Sequence, residues 1–136
     1  VRRFRNDIAP YYQTMRAEIM TDGLIPEAQN DPRFAAAVKA TKNGNFMGAC
    51  AQWDELGREW THAPAILHNL GACAEARGDM ATAQLRYARA AELAQSIPLL
   101  EDKQAKPIFS ALERVSGRRM DDALINSILY PEEPAS

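Results

Sequence analysis

The sequence predicts an all-α domain, a short array of helical hairpins, and three observations carry that prediction. Apolar residues recur at intervals of three and four, alternation of period two is nearly absent, and one turn-and-helix pattern is written twice, 34 residues apart. KNGNFMGACAQWDELG and ARGDMATAQLRYARAAEL align so that Gly44, Asn45 and Phe46 fall on Gly78, Asp79 and Met80. In the same register Ala49 falls on Ala83, Trp53 on Tyr87 and Leu56 on Ala90.

The elements follow in order. Asp7 is a candidate cap for a first helix over 7–22, in which Pro10 is tolerated in the first turn and Phe4, Ile8, Tyr11, Met15 and Ile19 make one apolar stripe. Asn30-Asp31-Pro32 is a strong start signal, an aspartate cap followed by proline at the first helical position, and Phe34, Ala37, Val38 and Thr41 carry that helix to Gly44. A partner helix runs from about Phe46 to Trp60. Another begins at about Pro64 and stops at Gly78, and its partner is closed by Pro98. SIPLLEDKQAKP is expected to be a polar connector, after which a short helix starts at Pro107. A last one, from Arg119 to Tyr130, should turn Met120, Ala123, Leu124 and Ile128 inward. PEEPAS, 131–136, reads as a disordered tail.

Bulk properties narrow the function. At 136 residues one domain, over 1–130, suffices, and a formal net charge of -2 gives no basic excess for nucleic acid. No apolar run approaches the roughly 18 residues of a membrane span, and no signal-peptide pattern opens the chain. Because it starts at Val1, inside a helical pattern, the chain is expected to be a fragment or processed product. Cys50 and Cys73 have no CxxC spacing, and the order Cys50, His62, His68, Cys73 matches no zinc ligand pairing. They are expected to be small buried thiols rather than metal ligands, at inward positions of two successive helices, with an oxidised form left open. No metal or other cofactor is expected.

The repeat resembles the tetratricopeptide family, whose antiparallel helix pairs have apolar faces covered by neighbouring repeats. In the copy over about 64–97, Leu67, Leu70 and Gly71 resemble the family's W-x2-L-G, Ala74 replaces its aromatic, and Gly78, Ala83, Tyr87 and Ala90 match further positions. Only the closing proline is displaced. In the copy over about 30–63, Ala37, Ala40, Gly44, Ala49, Trp53 and Leu56 match more loosely, and Gly117 and Ala123 echo the pattern in a degenerate C-terminal helical pair over 107–130. The resemblance implies that Gly44, Ala49, Trp53, Leu70, Gly71, Gly78, Ala83, Tyr87 and Ala90 pack the repeats. Small residues at a crossing let two helix axes approach, while the aromatic fills the gap beside them.

A wider likeness, over Ile8 to Leu93, is to the C-terminal helical repeat module of certain bacterial envelope lipoproteins that carry a curli-secretion-like N-terminal domain. It rests on IAPYYQTMR, on GNF with Trp53 seven residues beyond Phe46, and on HNLGACAEARGD. It implies the cell envelope, in the periplasm or at the outer-membrane periphery, with the cytoplasm as the alternative. This chain contains neither that N-terminal domain nor a lipidation motif.

Chemistry-bearing patterns are sparse. Asp121 with Asp122, and Glu132 with Glu133, suit capping and solubility, and Arg2 to Arg5 suits a solvated helix end. His68 and Glu75, two turns apart on one helix, are the most site-like pair, yet no nucleophile or phosphate loop accompanies them. An enzyme is therefore not expected. By family analogy a concave groove for a partner protein or peptide is lined by Phe34, Val38, Thr41, Lys42, Ala65, His68, Ala72, Glu75 and Ala76. Of the chaperone-tail clamp pattern only Asn69 matches. The expected function is a non-catalytic protein-protein interaction module. The alternative is a structural or assembly element of an envelope complex, packing against copies of itself or another domain of its parent protein.

Overall fold

A computed structural model describes residues 15–130 apart from residue 17, so most of the helix expected over 7–22, the Arg2 to Arg5 cluster and the 131–136 tail lie outside the described residues. All regular structure among the described residues is helical: α1 (Pro26–Gln29), α2 (Pro32–Lys42), α3 (Phe46–Glu59), α4 (Pro64–Ala76), α5 (Met80–Gln95) and α6 (Asp102–Leu129). Met15, Arg16 and Glu18 are the described end of the N-terminal helix, and 19–25 is irregular. The hairpins α2–α3 and α4–α5 stack through α3 and α4, and α6 closes the far side against α5.

Each start and stop has a local cause. Asp31 caps α2 by accepting the Arg33 amide at 3.0 Å, with Pro32 in the first turn. The same carboxylate pairs with the Arg33 guanidinium and accepts from the Trp60 indole at 3.0 Å, while Arg33 also bonds Glu59. The open ends of α2 and α3 are thereby tied together. Hydrogen bonds from Arg33, and then from Trp60, hold the Asp31 carboxyl well below the usual carboxylate range.

The two hairpin turns repeat bond for bond. Gly44 and Gly78 take φ of 85° and 80°, a region open to glycine at little cost. Asn45 N–H donates to Ala40 at 3.0 Å and Asp79 N–H to Ala74 at 2.9 Å, and the next helices are capped by Asn45 to Gly48 and Asp79 to Thr82.

The interior repeats in the same way. Trp53 and Tyr87 are both 0% exposed. Trp53 meets the Phe34 ring edge-on at 5.3 Å, and Tyr87 meets His68 at 5.0 Å. A buried indole or phenol needs a partner for its polar edge. Trp53 Nε1 donates to Thr41 Oγ1 at 3.2 Å, and Tyr87 OH donates to Glu75 Oε1 at 2.8 Å. Gly71 leaves room for the second wedge, since a Cβ there would stand 2.6 Å from the Tyr87 ring. The equivalent residue in the first hairpin is Ala37, fully buried. Ala49, Leu70, Ala83 and Ala90 are buried as well.

Three expectations need correction. Cys50 and Cys73 are joined in a disulfide, with Cα atoms 5.9 Å apart, and so are not free thiols. Stacking brings α3 and α4 together there and staples one hairpin to the next. The expected connector and the C-terminal helical pair form one helix, α6, which runs through Pro107 and Gly117. Gln104 starts it early by accepting the Glu101 amide at 3.0 Å. The carbonyl that Pro107 leaves without a helical donor belongs to exposed Lys103.

Met120, Ala123, Leu124 and Ile128 are outward rather than inward, because the last turns of α6 run on past the buried stack and every residue over 117–130 is exposed. The packed face of α6 is Ala105, Ile108, Ala111 and Val115. Continued at helical spacing, it arrives at Arg119, Asp122 and Asn126. An unexpected short helix, α1, fills the corner before Asp31 and buries Ala28.

Truncating Trp53 to alanine is expected to cost about 3 to 5 kcal/mol, and Ala83→Leu about 1 to 3 kcal/mol through overpacking, both measurable by urea unfolding. Unchanged midpoints would show that neither residue is at a helix contact. Reducing the disulfide, or replacing Cys50 by alanine, should cost about 3 kcal/mol for a loop of this length. In calorimetry that corresponds to a fall of roughly 10 °C.

Candidate functional site: a strap and a polar ring over the central helix

Every residue of α4 is buried except Glu75, which is half-buried. The helix has α3 on one side and α5 on another, and residues 18–24 cross it as a strap. An interior helix of this kind accepts a polar side chain only if each polar atom finds a partner. Asn69, 0% exposed, meets that demand with main chain: the Met20 amide donates to its Oδ1 at 2.7 Å, and its Nδ2 donates to the Met20 carbonyl at 3.0 Å. Both edges of the side-chain amide thus hold one residue of the strap, as a neighbouring strand would.

His68, one position earlier and equally buried, reaches the same segment. Its Nε2 lies 2.9 Å from the Glu18 carbonyl and 3.3 Å from the Glu18 carboxylate. Both neighbours are acceptors, which places the ring hydrogen on Nε2. Nδ1 is buried without a protein partner.

From Glu18 the polar contacts close into a ring. Arg114 of α6 bonds Glu18 at 3.2 Å and grips Glu75 with a fork, Nη2 at 2.6 Å and Nε at 3.2 Å. Glu75 accepts from Tyr87, and Tyr87 stacks on His68. Burial, and then the adjacent Glu75 carboxylate, push the Tyr87 phenol far above its ordinary value. Burial opposes the charge on Arg114, but the Glu75 hydrogen bond and the Glu18 carboxylate raise its pKa above the ordinary value. The ring joins the strap, α4, α5 and α6 by charge-assisted bonds inside a partly dry space, a geometry suited to holding a chain segment.

The nine residues expected to line an open groove occupy three different settings. Phe34, Thr41, His68 and Glu75 turn into the hairpins and touch the wedges. Ala65, Ala72 and Ala76 are buried, and Val38 is half-buried. Lys42 is the one exposed member, and its Nζ donates to the Arg16 carbonyl at 3.1 Å. The strip expected to be open is thus largely closed, its middle covered by the strap.

Sequence reasoning missed Glu18 and Arg114, which stand 96 positions apart. Asn69 did carry a signal, as a polar residue on the inner side of a helix otherwise built of apolar and small residues. Beside the strap, a groove of about 470 Å³ is lined by Glu18, Asp22, Lys103, Gln104, Pro107 and Ser110 among others. The chain matches no protein-family model, no curated protein and no solved structure.

Replacing Asn69 by alanine strands a buried amide N–H and a carbonyl at Met20, at an expected cost of about 2 to 4 kcal/mol. Hydrogen exchange should then show lost protection at the Met20 amide while the α5 amides stay protected. Protection retained at Met20 would mean that the strap does not depend on Asn69.

Proposed function

We propose that the chain is a non-catalytic protein-protein interaction module of the tetratricopeptide type, whose central helix holds an extended segment of protein. The observation that carries this reading is Asn69. A buried amide bonded to both main-chain groups of one residue recognises polypeptide as such, largely independently of side-chain identity. The polar ring supports the non-catalytic reading, because Arg114 engages both carboxylates and the Tyr87 phenol is bound to Glu75. Two helical hairpins related at 34 residues support the family reading.

A second reading, an assembly element of a bacterial envelope complex, is favoured by a separate observation. Met120, Leu124, Ile125, Ile128, Leu129 and Tyr130 of α6 are 55–74% exposed, an apolar surface of the kind that marks contact sites. The Cys50–Cys73 disulfide supports the envelope, because such bonds persist in oxidising compartments. No helix among the described residues is long and apolar enough to cross a membrane.

A photo-reactive residue at Lys42, at the open end of the strip, tests the first reading against the same residue at Arg86 on the exposed side of α5. A polypeptide adduct formed from position 42 and not from 86 is expected in extract of the source cells. Adducts from 86 alone, or none from 42, would move the interaction surface elsewhere. The second reading predicts that Leu124→Asp with Ile128→Asp dissolves an oligomer seen by light scattering while leaving the melting temperature within about 1 to 2 °C, as exposed positions usually do.

A further inference from the structure

We infer that residues Glu18 to Met20 are a resident ligand of the groove, and that the partner it fits is a protein segment carrying an acidic residue shortly before an apolar one, which takes the strap's place. This inference rests on the interaction-module reading and names the regulation of that same site.

The contacts that hold the strap are ones that a segment from another protein can reproduce. Three go to main chain: both groups of Met20 to Asn69, and the Glu18 carbonyl to His68. One depends on charge, the Glu18 carboxylate against Arg114 and His68. The rest is burial of two apolar side chains, Ile19 at 6% and Met20 at 7% exposed. The bound segment is therefore specified as an acid in a last helical turn followed closely by apolar residues where the chain leaves the helix.

The seat does not need the strap in order to exist. Arg114 is fixed by two bonds to Glu75, and Glu75 by Tyr87, none of which involves Glu18. Asn69 and His68 stand on the most enclosed helix of the fold. A partner therefore meets donors and acceptors already positioned, which lowers the ordering cost of binding.

The strap ends at a strained position. Leu24 has φ of 64°, a left-handed conformation costly for a residue with a side chain, and it follows Gly23, where a Cβ would stand 2.9 Å from Gln29. Detachment frees Leu24 from that conformation while the hairpins stay joined by the disulfide. The groove of about 470 Å³ between the strap and α6 gives an incoming segment a way in alongside.

The test uses the full chain and a fluorescein-labelled peptide of the sequence MRAEIMTDGL, identical to 15–24, read by anisotropy. Met20→Pro removes the amide that donates to Asn69 and weakens the strap without altering the groove; Glu18→Ala is a milder second variant. Both should bind the peptide tenfold or more tightly than wild type. Alanine in place of the peptide's glutamate, or Asn69→Leu added to either variant, should undo the gain by about tenfold. Circular dichroism melting confirms that each variant is folded, and Glu18→Ala decides the matter if Met20→Pro is not. Equal peptide affinity for wild type and strap variants, or none for any, overturns the inference. If the position-42 adduct persists in that event, the interaction-module reading stands without the strap. A wild-type dimer that Met20→Pro converts to monomer would assign the strap to exchange between copies and overturn the partner class.

Discussion

The fold depends on one constraint, a large aromatic of the second helix wedged against a small residue of the first. Tyr87 stands against Gly71, and in the first hairpin buried Trp53 has buried Ala37 at the position equivalent to that glycine. The size of the wedge sets how closely the two axes approach, and the small residue sets where they cross. Neither ring can be buried as a pure hydrocarbon, because an indole N–H or a phenol O–H taken from water requires an acceptor. Thr41 supplies it in the first hairpin and Glu75 in the second. The same geometrical demand is answered by a neutral hydroxyl in one copy and a carboxylate in the other. That difference separates the two hairpins in what they must pair with next. A buried carboxylate needs more than a phenol, and Arg114 supplies the remaining bonds; the guanidinium in turn has a donor left for Glu18. Recruitment of the strap over the second hairpin is thus a consequence of what Tyr87 required.

A second consequence concerns coupling. Two hairpins make a short array, and a short array has few neighbour interfaces to share its stability. Here α4 carries three attachments: the disulfide from α3, the wedge from α5 and the strap across its remaining side. With the covalent tie at Cys73 and the polar ties at His68, Asn69 and Glu75, the helix is fixed along its length.

The parts legible in the sequence were those set by local chemistry or by the repeat. Asp31-Pro32, Gly44 and Gly78 specify their own turns, and the 34-residue register placed Trp53, Tyr87, Ala83 and Gly71 at the crossings. The face of the first helices was less legible. Helical spacing alone does not tell an inward Phe34 or Thr41 from a groove residue one turn away, and the pairing with Trp53 that decides it is visible only once the hairpin closes. Residues far apart in the chain, such as Glu18 and Arg114, leave no local mark. The disulfide left a partial mark: the repeat register puts Cys50 and Cys73 at inward positions of successive helices, 23 positions apart, but only the stacking of α3 on α4 brings them into a bond. Pro107 read as a start, although a proline early in a helix whose lost partner is an exposed carbonyl interrupts nothing.

The continuity of α6 brings the two candidate surfaces into relation. A break at Gly117 would have allowed the last turns to rotate Met120, Leu124 and Ile128 toward the stack. Instead one helical phase runs from Ala105 onward, so the residues that pack and the residues that protrude lie on different faces of the same rod. Rotating the rod to bury the apolar row would expose Ile108 and Val115 and pull Arg114 from Glu75, which dismantles the polar ring. The two surfaces therefore cannot be traded against each other. The seat over α4 bonds the main chain of Glu18 and Met20 and the Glu18 carboxylate. The distal row of α6 offers apolar area with no hydrogen-bonding order of its own. Arg114, held between the packed turns and the strap, is where α6 meets that seat.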